Sequence, residues 1–367
     1  MQSILEQVRT ELAELKAFVQ SIAPVNSALS KHPDASVRQY LTLRRQYDYA
    51  AFVVALYASF ERYTEALIAE YARLISSFIQ YKDLPPSLVK KHLVQSAEML
   101  SRKRLGEGRY ANLLPVNVAE SLFKCLSGDD NYTLTSEAVI AHDTNLRYND
   151  VSKLLGEVGV VDFWTRFPSV EIVYKWFVRE EVGDAEEHEV PDRTPEIDST
   201  IRTMFETRLN DLVERRNEVA HRGGGAEQLL GQAEMLSRID FVETLTEAMF
   251  NLSSASYLKL RTQDPTYASN VAIVEGPYKL GSVIVIDPPG FTLSQGQALF
   301  IILANGDVKW GRIVNLMVDE VPIATIEPGS INGTVGVEVD FRCTQKSEVW
   351  VKHTLDCAVW GAAVVTH

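Results

Sequence analysis

Cysteine is scarce in this chain. There are three in 367 residues, Cys125, Cys343 and Cys357, and none forms a C-x-x-C pair. That excludes a disulfide framework and points to a reduced, cytoplasmic protein, in which the Asn-x-Ser/Thr triplets at Asn131, Asn251 and Asn332 carry no glycan. The seven histidines are scattered with no pair at ligand spacing, so neither a metal nor a cofactor is expected. Long apolar runs are absent too. The longest, YAAFVVALYASF at 49–60, is about half of the ~20 residues a membrane span needs, and reads as a buried helix. The opening MQSILEQVRTELAELKAF is amphipathic and lacks the apolar centre of a leader, so no membrane partner is expected. No G-x-x-x-x-G-K-[ST] occurs, which excludes a P-loop GTPase. Positive charge is in deficit, with 36 Lys+Arg against 49 Asp+Glu and a net of −13, which argues against a general nucleic-acid binder.

The acid is unevenly spread. Residues 171–200 hold ten Asp/Glu against three Lys/Arg. A basic cluster, Lys90, Lys91, Arg102, Lys103, Arg104 and Arg109, reads either as a local RNA-binding surface or as a solvated helix face.

Periodicity divides the chain at about residue 265. Leu5, Val8, Leu12, Leu15, Val19 and Ile22 form an a/d seam, and Pro24 is expected to close this helix over 1–23. The seam suits a neighbouring helix or a second subunit. Residues 37–80 carry the longest helical pattern, with Tyr49, Phe52, Val53, Leu56, Phe60, Tyr63, Leu67 and Ile68 on its apolar stripe. Further helices are predicted over 87–105, 116–127, 150–159, 199–222 and 226–262. The acidic, proline-containing stretch 183–198 is predicted to be an exposed loop. From 266 to 367, SVIVI, ALFIILA, VKWGRIVNLMV, GTVGVEVDFRC and EVWVKHTL are strand patterns separated by turn residues. Val335, Val337, Val339, Phe341 and Cys343 share one face, and Glu338, Asp340 and Arg342 the other. The expectation is an α + β multidomain chain. An all-α bundle over 1–263 precedes an all-β barrel or sandwich over 266–367, where Trp350 and His353 read as fold residues.

Chemistry concentrates in ERRNEVAHRGGG, residues 214–225. Phe205, Leu209, Leu212, Arg216 and Val219 follow 4-3-4-3 spacing, which puts Arg216 on the apolar stripe of a helix. A guanidinium there needs an anion, a carboxylate or an interface. His221 falls in the last turn, where the helix dipole favours the protonated ring. Gly223–Gly225 let the chain leave while keeping His221 accessible. Histidine can move a proton to or from a 2′-hydroxyl or a leaving 5′-oxygen, and arginine can stabilise charge on a phosphorane. Spacing alone equally allows Arg216 to pair with a core carboxylate and His221 merely to cap the helix.

RNEVAH at the end of a penultimate helix resembles the R-x(4–6)-H motif of the HEPN superfamily. FERYTEALIAEYA (60–72) looks like the early-helix signature of RiboL-PSP-HEPN proteins, and NLRYNDVSKLLGEVGV (145–160) like the segment preceding their motif helix. The resemblance spans roughly 35–260. It implies an all-α homodimer with the two motif helices facing across a composite cleft. It also implies a metal-independent endoribonuclease of the toxin or abortive-infection type in antiviral defence, acting on tRNA or another structured RNA. Arg216, Asn217 and His221 match the motif, while Arg215 competes for the arginine position. Glu61, in FERY, is read either as orienting Arg216 or as an exposed helical charge. An antitoxin or activating protein is an implied partner, and self-restraint is the alternative. YKLGSVIVID, KWGRIVNLMVDE and SINGTVGVEVDF resemble the second-domain barrel of translational GTPases, which implies a barrel contacting tRNA, ribosome or a protein. The contrasting function is a non-catalytic HEPN-like module that binds nucleotides or proteins, with the acidic 180–198 stretch docking a basic partner.

Overall fold

A computed structural model of the chain describes residues 1–102, 105–107, 110–142, 144–181, 183, 193–222, 228–303, 307–344, 347–354 and 359. The chain divides into two units, one running to Leu252 and one from Ser253 onward.

The first unit is helical. In chain order its helices are α1 (Gln2–Ser30), α2 (Ala35–Ser76), α3 (Pro86–Arg102), α4 (Pro115–Ser127), α5 (Ser136–Val139), α6 (Tyr148–Glu157), α7 (Phe163–Arg166), α8 (Glu171–Glu181), α9 (Pro195–Arg222) and α10 (Gln232–Arg261), the last running past the division. Polar pairs fix their directions. α1 runs antiparallel to α2, with Met1 N near Glu70 (3.9 Å) and Glu11 on Arg62 (2.7 Å). α1 is also antiparallel to α10, through Arg9–Glu247 at 2.7 Å and Lys16–Asp240 at 3.2 Å. α10 is antiparallel to α9, with Phe205 against Phe241 (ring centroids 5.0 Å) and Arg208 on Ser237 (3.1 Å). It follows that α9 descends α2, its C-terminal end beside the N-terminal half of α2. Arg215 on Tyr49 Oη at 3.0 Å marks that level.

The core joins the apolar stripe of α2 to Phe163, Phe167, Trp176, Phe205 and Phe241, all buried. Phe205 meets Phe167, Trp176 and Phe241 with ring centroids 4.6–5.0 Å apart, a spacing that suits edge-to-face and tilted rings.

Several boundaries differ from the sequence expectation: α10 begins at Gln232 where the pattern predicts 226, and α2 ends at Ser76 where it predicts 80; two others have a plain physical reason. α1 continues through Pro24 to Ser30. Proline's φ is helical, its costs are one lost hydrogen bond and a clash with an earlier carbonyl, and Pro24 lies on the exposed side of α1, where solvent can reach a freed carbonyl. The predicted 183–198 loop is shorter at its end: Pro195–Asp198 is the first turn of α9. Pro195 opens the helix, where its missing N–H costs nothing. Thr194 Oγ1 accepts from Ile197 N (3.4 Å), and Glu196 and Asp198 suit the positive end of the dipole. Residues 184–192 lie outside the described set.

Gly159 shows why the α6 exit requires glycine. Its φ is +96°, and a Cβ there would lie 2.8 Å from Pro85 Cγ.

The second unit is an antiparallel half-barrel of β1 (Ala268–Val271), β2 (Ile273–Tyr278), β3 (Val283–Ile286), β4 (Leu293–Ser294), β5 (Ala298–Ile302), β6 (Val308–Val318), β7 (Val321–Pro322), β8 (Thr325–Ile326), β9 (Val335–Val339) and β10 (Glu348–Lys352). The sheet runs β1-β10-β5-β6-β9-β3-β2, with β7 on β6 and β4 paired to β8. The path leaves β1 and β2 at its ends, so the barrel is open, a half-barrel. The long β6 makes the bend. Residues 308–312 pair with β5, residues 313–317 pair with β9, and the register shifts between Ile313 and Asn315. Gly311 sits at this crossing, where a Cβ would fall 1.8 Å from Asp340 Oδ1, which accepts from Arg312 N at 2.8 Å. Val335, Val337, Val339 and Cys343 are buried and Phe341 packs against the same core. Trp350 stacks on Phe300, and His353 Nε2 meets Ser269 Oγ at 2.8 Å. Burial pushes the Cys343 and Cys125 thiols up to about 11, which makes them poor nucleophiles; Cys357 lies outside the described residues. No helix among the described residues is long and apolar enough to cross a membrane.

A buried histidine ties α3 to α5. His92 Nε2 accepts from Thr135 N at 3.0 Å and Nδ1 lies 3.2 Å from Tyr81 Oη. An accepting Nε2 requires the neutral ring, and burial pushes the His92 pKa down to about 4. The unfolded chain therefore binds the extra proton between about pH 6.5 and 4, and stability falls as pH is lowered through that window. Wild type is expected to lose up to about 3 kcal/mol there through this residue. His92→Gln, starting from lower stability, is expected to show a flatter acid limb in pH-dependent urea unfolding.

Candidate functional site

The strap between α5 and α6, described at residues 140–142 and 144–147, carries polar side chains to α2 and α9. Leu146 is fully buried, and its N–H donates to Tyr57 Oη at 2.9 Å. Tyr57 in turn donates to Glu61 Oε1 at 3.1 Å. Asn145 Nδ2 donates to Asn217 Oδ1 at 2.7 Å, and the same oxygen accepts from Arg216 Nη1 at 3.3 Å. Arg147 reaches Glu214 at 2.5 Å. Asp150 accepts from Arg147 N (3.2 Å) and from Thr144 Oγ1 (3.3 Å), so one carboxylate caps α6 and steadies the strap. A cavity of about 450 Å³ opens here, lined by Glu61, His142, Thr144, Asn145 and Arg147.

The two adjacent arginines of α9 have different surroundings. Arg215 Nε donates to Asp211 at 2.9 Å, and its Nη1 donates to Tyr49 Oη at 3.0 Å and to Gln228 O at 3.2 Å. Arg216 is half-buried with no carboxylate partner among the described residues. Its guanidinium lies 5.5 Å from the centre of the Tyr57 ring, a cation–π contact. Asn217 is held from both sides, by Asn145 and Arg216. His221 is exposed in the last turn of α9; Gly223–Gly225 lie outside the described residues. Glu61 does not reach Arg216 directly, and Tyr57 stands between them.

The basic cluster is dispersed. Lys91 pairs with Glu157 at 2.6 Å, Arg102 pairs with Glu98, and Lys90 is exposed on α3. Lys103, Arg104 and Arg109 lie outside the described residues. Among the described residues, no group of three or more His, Cys, Asp and Glu side chains is placed to hold a metal ion.

Tyr57, His142, Asn145 and Arg147 are the site residues that sequence reasoning did not single out. Asn145 and Arg147 stand within the quoted NLRYND, three and five residues after His142, so the strap was marked without its contacts. His142 Nδ1 meets Thr144 O at 2.7 Å and Nε2 meets Glu65 Oε1 at 2.9 Å. Both partners only accept, so both contacts are hydrogen bonds when the ring is protonated. The Glu65 hydrogen bond, ahead of the opposing burial, raises the His142 pKa. A raised folded pKa stabilises fully below the unfolded value of about 6.5, and that stability is lost as pH rises through the folded pKa. Wild type is expected to lose thermal stability as pH rises from about 6.5 through the folded pKa, and His142→Ala to lack that component, as read by differential scanning fluorimetry against pH.

No curated protein matches the chain. The model of one family, RiboL-PSP-HEPN, matches residues 7–255, the helical unit and the strap–α9 site together. The chain belongs to the RiboL-PSP-HEPN family, a ribonuclease-type family of HEPN domains.

Proposed function

We propose that the protein is a metal-independent endoribonuclease of the toxin or abortive-infection type, cleaving tRNA or another structured RNA at a composite Arg216–Asn217–His221 site of a homodimer. The observation that carries this reading is the contrast within α9. Arg215 is occupied by Asp211, Tyr49 and Gln228. Arg216, held beside Asn217 and over Tyr57, keeps a guanidinium with no carboxylate to neutralise it among the described residues. Placing a guanidinium half-buried without a counter-ion is costly, and a phosphate oxygen is a fitting partner.

Helical geometry supports two copies. Residues 216 and 221 are five apart, so their side chains leave one helix about 140° apart and about 7.5 Å along its axis. One phosphate is then better served by Arg216 and His221 from facing helices. His221 takes the 2′-hydroxyl proton, O2′ attacks phosphorus and the P–O5′ bond breaks. The leaving oxygen takes a proton from the second His221, and the two Arg216 groups stabilise the phosphorane. The products are a 2′,3′-cyclic phosphate and a 5′-hydroxyl end. An antitoxin or an activating protein would govern the exposed His221 end.

The test is cleavage of total RNA and tRNA in EDTA, read on denaturing gels with end-group analysis. Arg216→Ala and His221→Ala, each folded, are each expected to lower cleavage by at least about 100-fold. Arg215→Ala is expected to lower the melting temperature instead. If both motif variants cut like wild type, the Arg–His reading is wrong and a binding module remains.

A further inference from the structure

The cavity at the strap has a volume of about 450 Å³, room for a nucleobase, and its polar lining is not used up by the fold. Glu61 is half-buried on α2. One of its oxygens accepts from Tyr57 Oη at 3.1 Å, and the carboxylate makes no ion pair among the described residues. A carboxylate drawn partly out of water calls for further donors. Asn145 lines the same cavity. Arg216 can only donate, so the Asn217 oxygen faces it, and Asn145 meets that oxygen through Nδ2. Asn145 therefore has a second N–H beyond the one given to Asn217. Arg147 is tied to Glu214 through Nη2 at 2.5 Å, which leaves the flat face of its guanidinium for stacking. A two-oxygen acceptor, an amide donor and a planar cation thus line one cavity.

We propose that this cavity reads an unpaired guanine beside the scissile phosphate. Glu61 accepts from guanine N1–H and one N2–H, Asn145 donates to O6, and Arg147 lies on the face of the base. The carboxylate selects the ligand. It repels a phosphate, so the group that enters is a donor edge and not an anion. Guanine is the one RNA base with two adjacent donors on its Watson–Crick edge. Adenine and cytosine set a donor beside an acceptor, and that acceptor's lone pair would face the carboxylate. Uracil sets a single donor between two acceptors. A site built to pair with a donor rejects an analogue that lacks it, because its own buried acceptor is left unpaired. The edge is open only when the base is unpaired, as in loops and single strands, where bases are read by edge contacts and by stacking on arginine.

Placement ties the cavity to the motif. The Arg216 guanidinium lies 5.5 Å from the centre of the Tyr57 ring, and the hydroxyl of that ring holds Glu61. One tyrosine therefore separates the base reader from the arginine proposed to hold phosphate. Asn145 joins the two on a second side, lining the cavity while it holds Asn217. The assignment of this guanine to the RNA substrate rests on the nuclease reading above; the guanine preference of the cavity does not.

The experiment has a binding arm and a cleavage arm, both on the full chain. Titration calorimetry compares the 5′-monophosphates of guanosine, inosine, adenosine, cytidine and uridine. Inosine keeps N1–H and O6 and lacks only the 2-amino group. Wild type is expected to bind the guanosine nucleotide at least about 10-fold more tightly than any of the others, inosine included. Glu61→Gln keeps an acceptor for Tyr57 and presents one donor and one acceptor, the pattern that suits adenine. It is expected to reverse the order, with adenosine above guanosine, at an unchanged circular dichroism spectrum. A merely structural Glu61 would lower all five alike. Guanosine bound no better than the other nucleotides, or a wild-type order in Glu61→Gln, overturns the proposal. In the cleavage arm, RNA fragments are sequenced at their ends. Wild type is expected to leave guanosine at one fixed position flanking the cut, and Glu61→Gln to move that preference to adenosine. If guanosine is preferred in binding but no RNA is cut, the pocket stands and the nuclease reading falls. If RNA is cut with no base preference in either arm, the nuclease reading stands and the pocket falls. If binding prefers guanosine while the cuts ignore it, the ligand is a free guanine nucleotide, and the placement beside the scissile phosphate is overturned.

Discussion

The Tyr57 hydroxyl is the contact on which the polar geometry of the helical unit depends. It accepts the N–H of buried Leu146 and donates to Glu61, so one oxygen fixes the height of the strap above α2. Burial, foremost, pushes the phenol far above its ordinary pKa, so the O–H stays protonated and keeps donating across the physiological range. Without it, a buried N–H has no partner, a cost of the order of 1–3 kcal/mol. The strap would then lose the register that sets Asn145 on Asn217 and Asn217 beside Arg216. The aromatic cluster around Phe205 holds α9 at the level this arrangement needs. Packing thus sets where α9 lies, and one hydroxyl sets what reaches it.

An acidic chain belonging to a ribonuclease-type family has to place its cations sparingly. Most of the arginines and lysines named here are committed within the fold: Lys91 to Glu157, Arg147 to Glu214, Arg208 to Glu180 and Arg215 to Asp211. A net charge of −13 opposes loose attraction of RNA phosphates at a distance. On the proposed reading the Arg216 guanidinium, which has no carboxylate partner among the described residues, is a local device that would act at contact, where a desolvated charge–charge hydrogen bond is strong, and would add little to long-range attraction. This balance fits an enzyme whose substrate is admitted by shape or by a trigger.

Periodic features were legible before any coordinates. The alternation of Val335, Val337 and Val339 appears as buried positions of β9, and VKWGRIVNLMV is β6 residue for residue. The long stripe of α2 is the core of the helical unit. Local chemistry was harder where two rules compete. Pro24 ordinarily stops a helix, yet solvent exposure let α1 continue. The sequence TPEID has loop-like composition, but Thr194, Pro195 and two acids also make a good helix start. The strap was least legible. Residues 140–147 have no periodicity, and Asn145–Asn217 and His142–Glu65 join positions more than 70 apart, which no local pattern encodes.

By itself the sequence determined the two kinds of architecture and the candidate chemistry, because burial imposes periods of 3.6 and 2 on residue choice and because R-N-x-x-x-H is a local string. Tertiary structure alone decided which arginine lacks a carboxylate partner among the described residues and what holds Asn217. Arg215 and Arg216 are neighbours of identical chemistry. They point about 100° apart around one helix, so one meets Asp211, Tyr49 and Gln228 while the other meets Tyr57 and Asn217. The same one-residue rotation separates a structural ion pair from a candidate for phosphate binding. Only the three-dimensional placement of α2, α9 and the strap says which is which.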